Sequence, residues 1–303
     1  MNAKPENDPA AAKAVASTNA AGLGTLLVSC GDRRGIVAAL AQVLAGHGAN
    51  ILDSDQHTDR DANQFFQRIR FDLADLITDK LTLERALGEV AERFQMKLRL
   101  AYGERRQRVA LFASNQEHCL IDLLLRHRAG ELECDIAMVI SNHASAAEIA
   151  AQYGIEFHLL PKTPETKQQQ EAKEIELLQR AEVDLIVLAR YMQVLSPAFV
   201  QLFPERIINI HHSFLPAFVG GKPYHQARER GVKLVGATAH YATADLDEGP
   251  IIEQDVVRCS HRDTVPDLVR KGRDLEKVVL ARAVRWHLEH RILVYGNKTV
   301  VFE

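Results

Sequence analysis

Three polar residues stand where an apolar run gives way to loop. Asn209 and His211 lie within Ile208-Asn209-Ile210-His211-His212-Ser213-Phe214-Leu215-Pro216, and Asp247 lies within Leu246-Asp247-Glu248-Gly249-Pro250. An amide, an imidazole and a carboxylate suit attack on a carbonyl. One can orient and donate, one can stabilise a developing oxyanion, and one can accept the nucleophile's proton. Singly, each is ambiguous: an Asn at a strand end is commonly a turn former, and an Asp before Glu-Gly-Pro is ordinary turn chemistry. The joint pattern is far more specific than its parts. His211-His212 does not read as a metal pair, because adjacent residues in extended backbone point to opposite faces and no third ligand stands at a useful spacing. No metal site is expected.

The elements that must position these groups form an α/β pattern. Val109–Ala113, Asp135–Ile140, Asp184–Ala189 and Ile207–Ile210 are short apolar segments bounded by polar residues, as strands buried on both faces require. Helical spacing over Glu117–His127, Ala144–Gln152, Glu171–Ala181 and Pro197–Phe203 alternates with them, which predicts a doubly wound, mostly parallel sheet. Sites in such sheets form at the carboxyl ends of strands, where Asn209 and His211 stand. Gly236–Tyr241 and Ile251–Val256 read as strands flanking the Asp247 loop. Val265–Leu288 reads as a long helical region interrupted around Gly272, and Arg291–Phe302 as a hairpin around Gly296-Asn297.

Ahead of this region the pattern differs. Thr25–Ser29, Asn50–Thr58, Phe65–Leu73 and Met96–Ala101 read as strands, and Ile36–Ala45 and Leu81–Phe94 as amphipathic helices. The order βαββαβ is the ferredoxin-like split pattern. Residues 1–22 read as a disordered tail, 23–103 as the small ferredoxin-like domain, and 104–303 as the α/β domain, entered through the charged linker Gly103-Glu104-Arg105-Arg106-Gln107.

Bulk properties are those of a globular protein. The 303 residues carry a net charge of −3, with 47% hydrophobic and 25% charged residues. No basic run suggests nucleic acid, no apolar stretch approaches the ~18 residues of a membrane span, and the N-terminus has no signal-peptide core. A cytoplasmic protein is expected. Cys30, Cys119, Cys134 and Cys259 form no CxxC pair and read as buried small hydrophobes.

Two stretches carry family resemblances. Asn-x-His, Ser-x-Leu-Pro and a later Asp before x-Gly-Pro resemble the active-site signature of the folate-dependent formyltransferases. Cys30-Gly31-Asp32-Arg33-Arg34-Gly35-Ile36-Val37 with Gly48-Ala49-Asn50-Ile51 resembles an ACT domain. The fusion, together with Pro216-Ala217-Phe218 and Lys222-Pro223-Tyr224-His225-Gln226-Ala227, closely resembles the formyltetrahydrofolate deformylases, from about residue 24 to the end.

The resemblance implies hydrolysis of 10-formyltetrahydrofolate. Asn209 and His211 would stabilise the oxyanion and Asp247 would take the proton, with no cofactor beyond the folate. It further implies that Tyr191, Met192, Gln193, Val194 and Leu195 line the folate, Gln193 standing where several relatives carry Arg. Ala242, Thr243, Ala244 and Asp245 would close over the pterin, and His225 and Tyr224 would help fence the pocket, although loop packing explains those last two equally. The ACT resemblance implies glycine or methionine held near Asp32, Arg33, Arg34, Gly35 and Asn50, or else a packing module that binds nothing. It also implies a homo-oligomer, while the deformylase resemblance implies an enzyme that balances one-carbon pools and can supply formate for purine synthesis.

Phe112-Ala113-Ser114-Asn115-Gln116-Glu117-His118-Cys119 has no glycine and brings Glu117, which disfavours a phosphorylated acceptor. Transfer to an unphosphorylated amine and a non-catalytic sensor remain as alternatives.

Overall fold

The computed structural model describes residues 22–216 and 223–303. The expected tail, apart from Gly22, lies outside the described residues, as do Ala217, Phe218 and Lys222 of the quoted motif. The chain divides into two compact units, one ending at Arg106 and one running Gln107–Val301.

In the first unit, β1 (Leu23–Gly31), α1 (Ile36–Gly46), β2 (Asn50–Asp59), β3 (Gln64–Asp72), α2 (Lys80–Phe94) and β4 (Lys97–Tyr102) follow in the expected order. The antiparallel sheet has the order β2-β3-β1-β4. Alternation along β1 and β3 sends Leu26, Val28, Phe65, Ile69 and Phe71 into one core with Ile36, Leu40 and Leu44 of α1 and Leu83 and Leu87 of α2. Asp79 caps α2 by accepting from the Thr82 amide, which satisfies one of the free N–H groups of the first turn. Gly48 is obligatory: its φ is +83°, and a Cβ there would lie 2.3 Å from the Asp75 carbonyl oxygen.

In the second unit, β5 (Gln107–Ala113), α3 (His118–Arg128), β6 (Cys134–Ser141), α4 (Ala146–Gln152), β7 (Phe157–Leu159), α5 (Lys167–Arg180), β8 (Leu185–Ala189), α6 (Pro197–Leu202) and β9 (Ile207–His211) form the alternating part. Then come α7 (Pro223–Arg230), β10 (Leu234–Tyr241), β11 (Ile251–Arg258), α8 (Val265–Leu288), β12 (Ile292–Tyr295) and β13 (Lys298–Val301). The seven-stranded sheet runs β11-β10-β9-β8-β5-β6-β7. Its strands are parallel from β9 to β7 and antiparallel at β9–β10 and β10–β11. Val109, Leu111, Leu185 and Val187 pack on one face with α3, α4 and α8. Ala110, Phe112, Ile186 and Leu188 pack on the other with α5 and α6. Burial on both faces is the physical reason these strands read as apolar runs rather than alternating ones.

Three features depart from the sequence reading. β7 and α7 were not anticipated; β7 has only three residues, and α7 is mostly polar. α5 starts at Lys167, four residues before Glu171, because its first turn is polar and carries no periodic signal. The expected interruption at Gly272 is absent: α8 is continuous, capped by a reciprocal Thr264–Asp267 box. Gly272 is there for space, since a Cβ would sit 1.8 Å from the Tyr224 hydroxyl.

Candidate active site

Strand alternation decides which way the motif faces. Ile208 and Ile210 of β9 and Ala237, Ala239 and Tyr241 of β10 turn into the α8-side core. Asn209, His211, Thr238 and His240 therefore share the opposite face. The antiparallel register pairs Thr238 with His211 and His240 with Asn209, so two histidines and an amide stand side by side where β9 ends.

Asp247 reaches them from the loop after β10. The Tyr241 amide donates to the Pro250 carbonyl (2.9 Å), and Gly249 packs so closely that a Cβ would lie 1.8 Å from the Tyr241 carbonyl oxygen. Asp247 adopts a left-handed φ of 58°. Its Oδ2 lies 3.1 Å from His211 Nδ1 and its Oδ1 lies 3.7 Å from His240 Nε2. Burial opposes ionisation, but the hydrogen bond and charge of His211 outweigh it and hold the Asp247 carboxyl well below the usual aspartate range.

The ring nitrogens have defined roles. His240 Nδ1 donates to the Tyr241 carbonyl (3.0 Å), leaving Nε2 to accept from Asn209 Nδ2 at 3.2 Å. His211 spends Nδ1 on Asp247, and its buried Nε2 has no hydrogen-bond partner among the described residues. An unpartnered imidazole nitrogen, an amide with a second N–H to give, and an ionised carboxylate thus converge at the carboxyl end of β9.

The turn after His211 is held from behind. Thr238 Oγ1 donates to the Ser213 carbonyl (2.9 Å) and accepts from the Leu215 amide (3.1 Å), while Gln254 Nε2 donates to the Leu215 carbonyl (3.0 Å). The Ser-x-Leu-Pro part of the motif therefore shapes backbone, with a cis Leu215–Pro216 bond. The expectation that His211 and His212 point apart is overturned: β9 ends at His211, and the two rings lie 5.0 Å apart at 36°. Burial first, then the Arg190 and His211 charges, pull His212 down to about 4, which keeps its ring neutral near pH 7.

Beside His212 lies a polar cluster that the sequence did not announce. Glu276 of α8 is 1% exposed, and it accepts from Tyr224 Oη (3.0 Å), bonds His118 Nε2 (2.8 Å) and pairs with Arg190 Nε (3.3 Å). Burial alone would raise its pKa, yet the His118 bond and the Arg190 charge hold it below the usual glutamate value. Arg190 also donates to Gln116 Oε1 (3.4 Å). His118, Cys119 and Glu276 place ligand atoms within 4.8 Å of one another. However, burial pushes the Cys119 thiol far up, and the Glu276 oxygens are already taken, so the group fits a satisfied polar core better than a metal. The missed signals were single: Glu276 falls at a core-facing position of α8, and His240 falls in phase with Thr238 in an otherwise apolar strand.

The two loops proposed to line a folate meet through one apolar cluster, where Ala242 packs against the group that holds Tyr191 and Leu195. Met192 and Val194 are exposed while Tyr191 and Leu195 are buried, and Gln193 is half-buried. Ala244 and Asp245 are exposed, and the Asp245 carbonyl accepts from Thr243 Oγ1 at 3.0 Å. His225 is exposed and is not brought into the Glu276 cluster; its neighbour Tyr224 is. In the first unit Asp32, Arg33, Arg34 and Gly35 form an exposed turn, with Gly35 at φ 91° where α1 begins and no side chain capping that helix. Asn50 opens β2 and is exposed.

Comparison with known proteins agrees with this architecture. Residues 107–284 match the formyl transferase family and residues 24–91 the ACT domain family. A formyltetrahydrofolate deformylase of Synechocystis sp. is 56% identical, over 92% of this chain and 98% of its own length. One from Bacillus subtilis is 52% identical, over 92% and 93%. The crystal structure of a formyltetrahydrofolate deformylase from Pseudomonas syringae superposes with a TM-score of 0.90 at 47% identity, covering 93% of this chain and 94% of that one. With both of its modules matched and near-complete coverage on both sides, the chain belongs to the formyltetrahydrofolate deformylase family.

Proposed function

We propose that the protein hydrolyses 10-formyltetrahydrofolate to tetrahydrofolate and formate, with water as the acceptor. The observation that carries the chemistry is Asp247, held ionised between His211 and His240 beside the unpartnered His211 Nε2. Water attacks the formyl carbon and gives its proton to Asp247. The carbonyl oxygen becomes an oxyanion that receives the second Asn209 N–H and, with His211 protonated on both ring nitrogens, the His211 Nε2–H. As the bond between carbon and N10 breaks, Asp247 passes the proton it took from water to N10, and the formic acid formed leaves as formate and a proton. Each donor pre-aimed at the oxyanion contributes about 3 kcal/mol in comparable acyl chemistry.

Two features favour water over a phosphorylated acceptor. The turn after β5 carries no glycine, and its flanking side chains Gln116 and His118 are tied to Arg190 and Glu276. The reading extends to folate as the only organic partner, with the pterin between the 191–195 and 242–245 loops, no metal, and a cytoplasmic homo-oligomer supplying formate for purine synthesis. The ACT unit is assigned an effector, glycine or methionine, at the open start of α1; a titration that leaves rate and affinity unchanged removes that part.

The test is formate release from 10-formyltetrahydrofolate with no amine present. Release at a rate that added amines do not raise supports hydrolysis. A rate that depends on an added amine assigns transfer instead. Among the described residues no helix is long and apolar enough to cross a membrane.

A further inference from the structure

Lys162, Glu171 and Glu174 form an ionic cluster inside the second unit, away from the reacting groups. The Lys162 side chain is 1% exposed, and its Nζ lies 2.9 Å from Glu174 Oε2 and 3.9 Å from Glu171 Oε1. Glu174 is fully buried. Burying three ionisable groups is costly unless each is paired, and packed apolar residues would stabilise a fold as well. Their use therefore lies in what they hold.

Glu171 and Glu174 sit one turn apart on α5, and each grips one end of the same loop. Glu174 Oε1 accepts from the Tyr191 hydroxyl at 2.9 Å, and Glu171 Oε1 accepts from the Ser196 amide at 3.1 Å. Lys162 Nζ stands 5.3 Å from the centre of the Tyr191 ring, closing the cluster over that end. A third tie comes from the turn after β5, where the Met192 amide donates to Ser114 Oγ at 3.2 Å. Between these anchors Met192 and Val194 are 56% and 53% exposed. A short loop pinned at both ends, with apolar side chains held outward at the carboxyl end of a parallel strand, is pre-organised to receive a flat, largely apolar ligand.

We propose that Lys162, Glu171 and Glu174 are positioning residues that clamp the 191–196 loop as a preformed wall for the folate. The proposal rests on the folate reading above and deepens it. The clamp acts on binding, whereas the Asn209–His211–Asp247 group acts on the chemical step, so the two separate kinetically.

The experiment compares Glu174→Ala, Glu174→Gln and Glu171→Ala with the parent in formate release. Hydrogen exchange over residues 191–196 is read with and without tetrahydrofolate. Glu174→Ala is expected to raise KM at least ten-fold while kcat stays within about three-fold. Glu174→Gln, which keeps an acceptor for Tyr191, should restore most of the loss. Glu171→Ala frees the other end alone and should also raise KM, which keeps a reading available if Glu174→Ala does not fold. Tetrahydrofolate should protect the loop in the parent and much less in the alanine variants. Equal KM in all folded variants, or a fall in kcat matching the rise in KM, overturns the clamp. So does a parent loop that tetrahydrofolate leaves unprotected. Parent protein that shows this protection yet releases no formate would overturn the hydrolase reading and leave the clamp supported.

Discussion

The Asp247 carboxylate lies 3.1 Å from His211 Nδ1 although 36 positions separate the two residues in the chain. Holding it there requires a left-handed backbone at Asp247 and a glycine at 249. Asp247→Asn keeps the shape of the loop and removes the proton acceptor. It is expected to lower kcat by about 10³-fold with little change in folate affinity, measured by steady-state formate release and calorimetric titration of tetrahydrofolate.

His240 touches Asn209 and Asp247, and its tautomer is set by the Tyr241 carbonyl. His240→Phe frees the Asn209 amide to rotate. A misplaced donor of this kind costs on the order of 10²-fold in rate. The expected result is a fall in kcat with KM within a few-fold; unchanged kcat would remove His240 from the site.

His212, Asp247 and Glu276, each held below its ordinary value in the fold, make stability depend on pH in the same direction. His212, buried and facing Arg190, His211, Glu276 and Asp247, is lowered to about 4, so the unfolded chain binds its proton first. Its contribution is full above the unfolded value of about 6.5 and is lost as pH falls toward 4. Asp247 is also depressed, and its contribution fades below the unfolded value of about 3.9. Urea unfolding across pH 3–8 should show stability falling from about pH 6.5 downward. A His212→Gln variant should show a flatter profile from about pH 6.5 toward pH 4. An imidazole NMR titration that places His212 above pH 6 would contradict this.

Gly272 and Tyr224 form a steric pair, since a Cβ at 272 would lie 1.8 Å from the Tyr224 hydroxyl. Gly272→Ala, which raises intrinsic helix propensity, should nevertheless destabilise the protein by about 1–3 kcal/mol through overpacking. Tyr224→Phe leaves Glu276 Oε1 without its donor at a similar cost of about 1–3 kcal/mol. Thermal denaturation of both variants checks these values; a stabilised Gly272→Ala would mean that Tyr224 yields to the added methyl group and that helix propensity decides the outcome.

The fold was legible because its strongest signals are local. Period-two and period-3.6 patterns, the apolar runs of β5, β6, β8 and β9, and turn residues each report on a few consecutive positions. Elements with weak local signals were lost: β7 has only three residues, and α7 lacks an apolar stripe. Gly272 misled for a related reason. Its propensity argues for a break, but its packing partner lies 48 positions away and cannot be seen from α8 alone.

The same division holds for the site. Sequence alone determined which groups are available: Asn209 and His211 in phase on one strand end, and Asp247 in a Gly-Pro loop. Their types and short-range spacing depend only on the backbone period. What tertiary structure decided was how they are joined. The β9–β10 register added His240, and the end of β9 laid His212 beside His211. The sheet and α8 gathered Arg190, Tyr224 and Glu276, and α5 supplied the carboxylates that grip the 191–196 loop. Those contacts span long sequence separations, and a one-residue change of register would turn His240 and Thr238 to the opposite face of the sheet. Side-chain chemistry is therefore written in the chain, while the proximity that tunes it exists only once the sheet has closed.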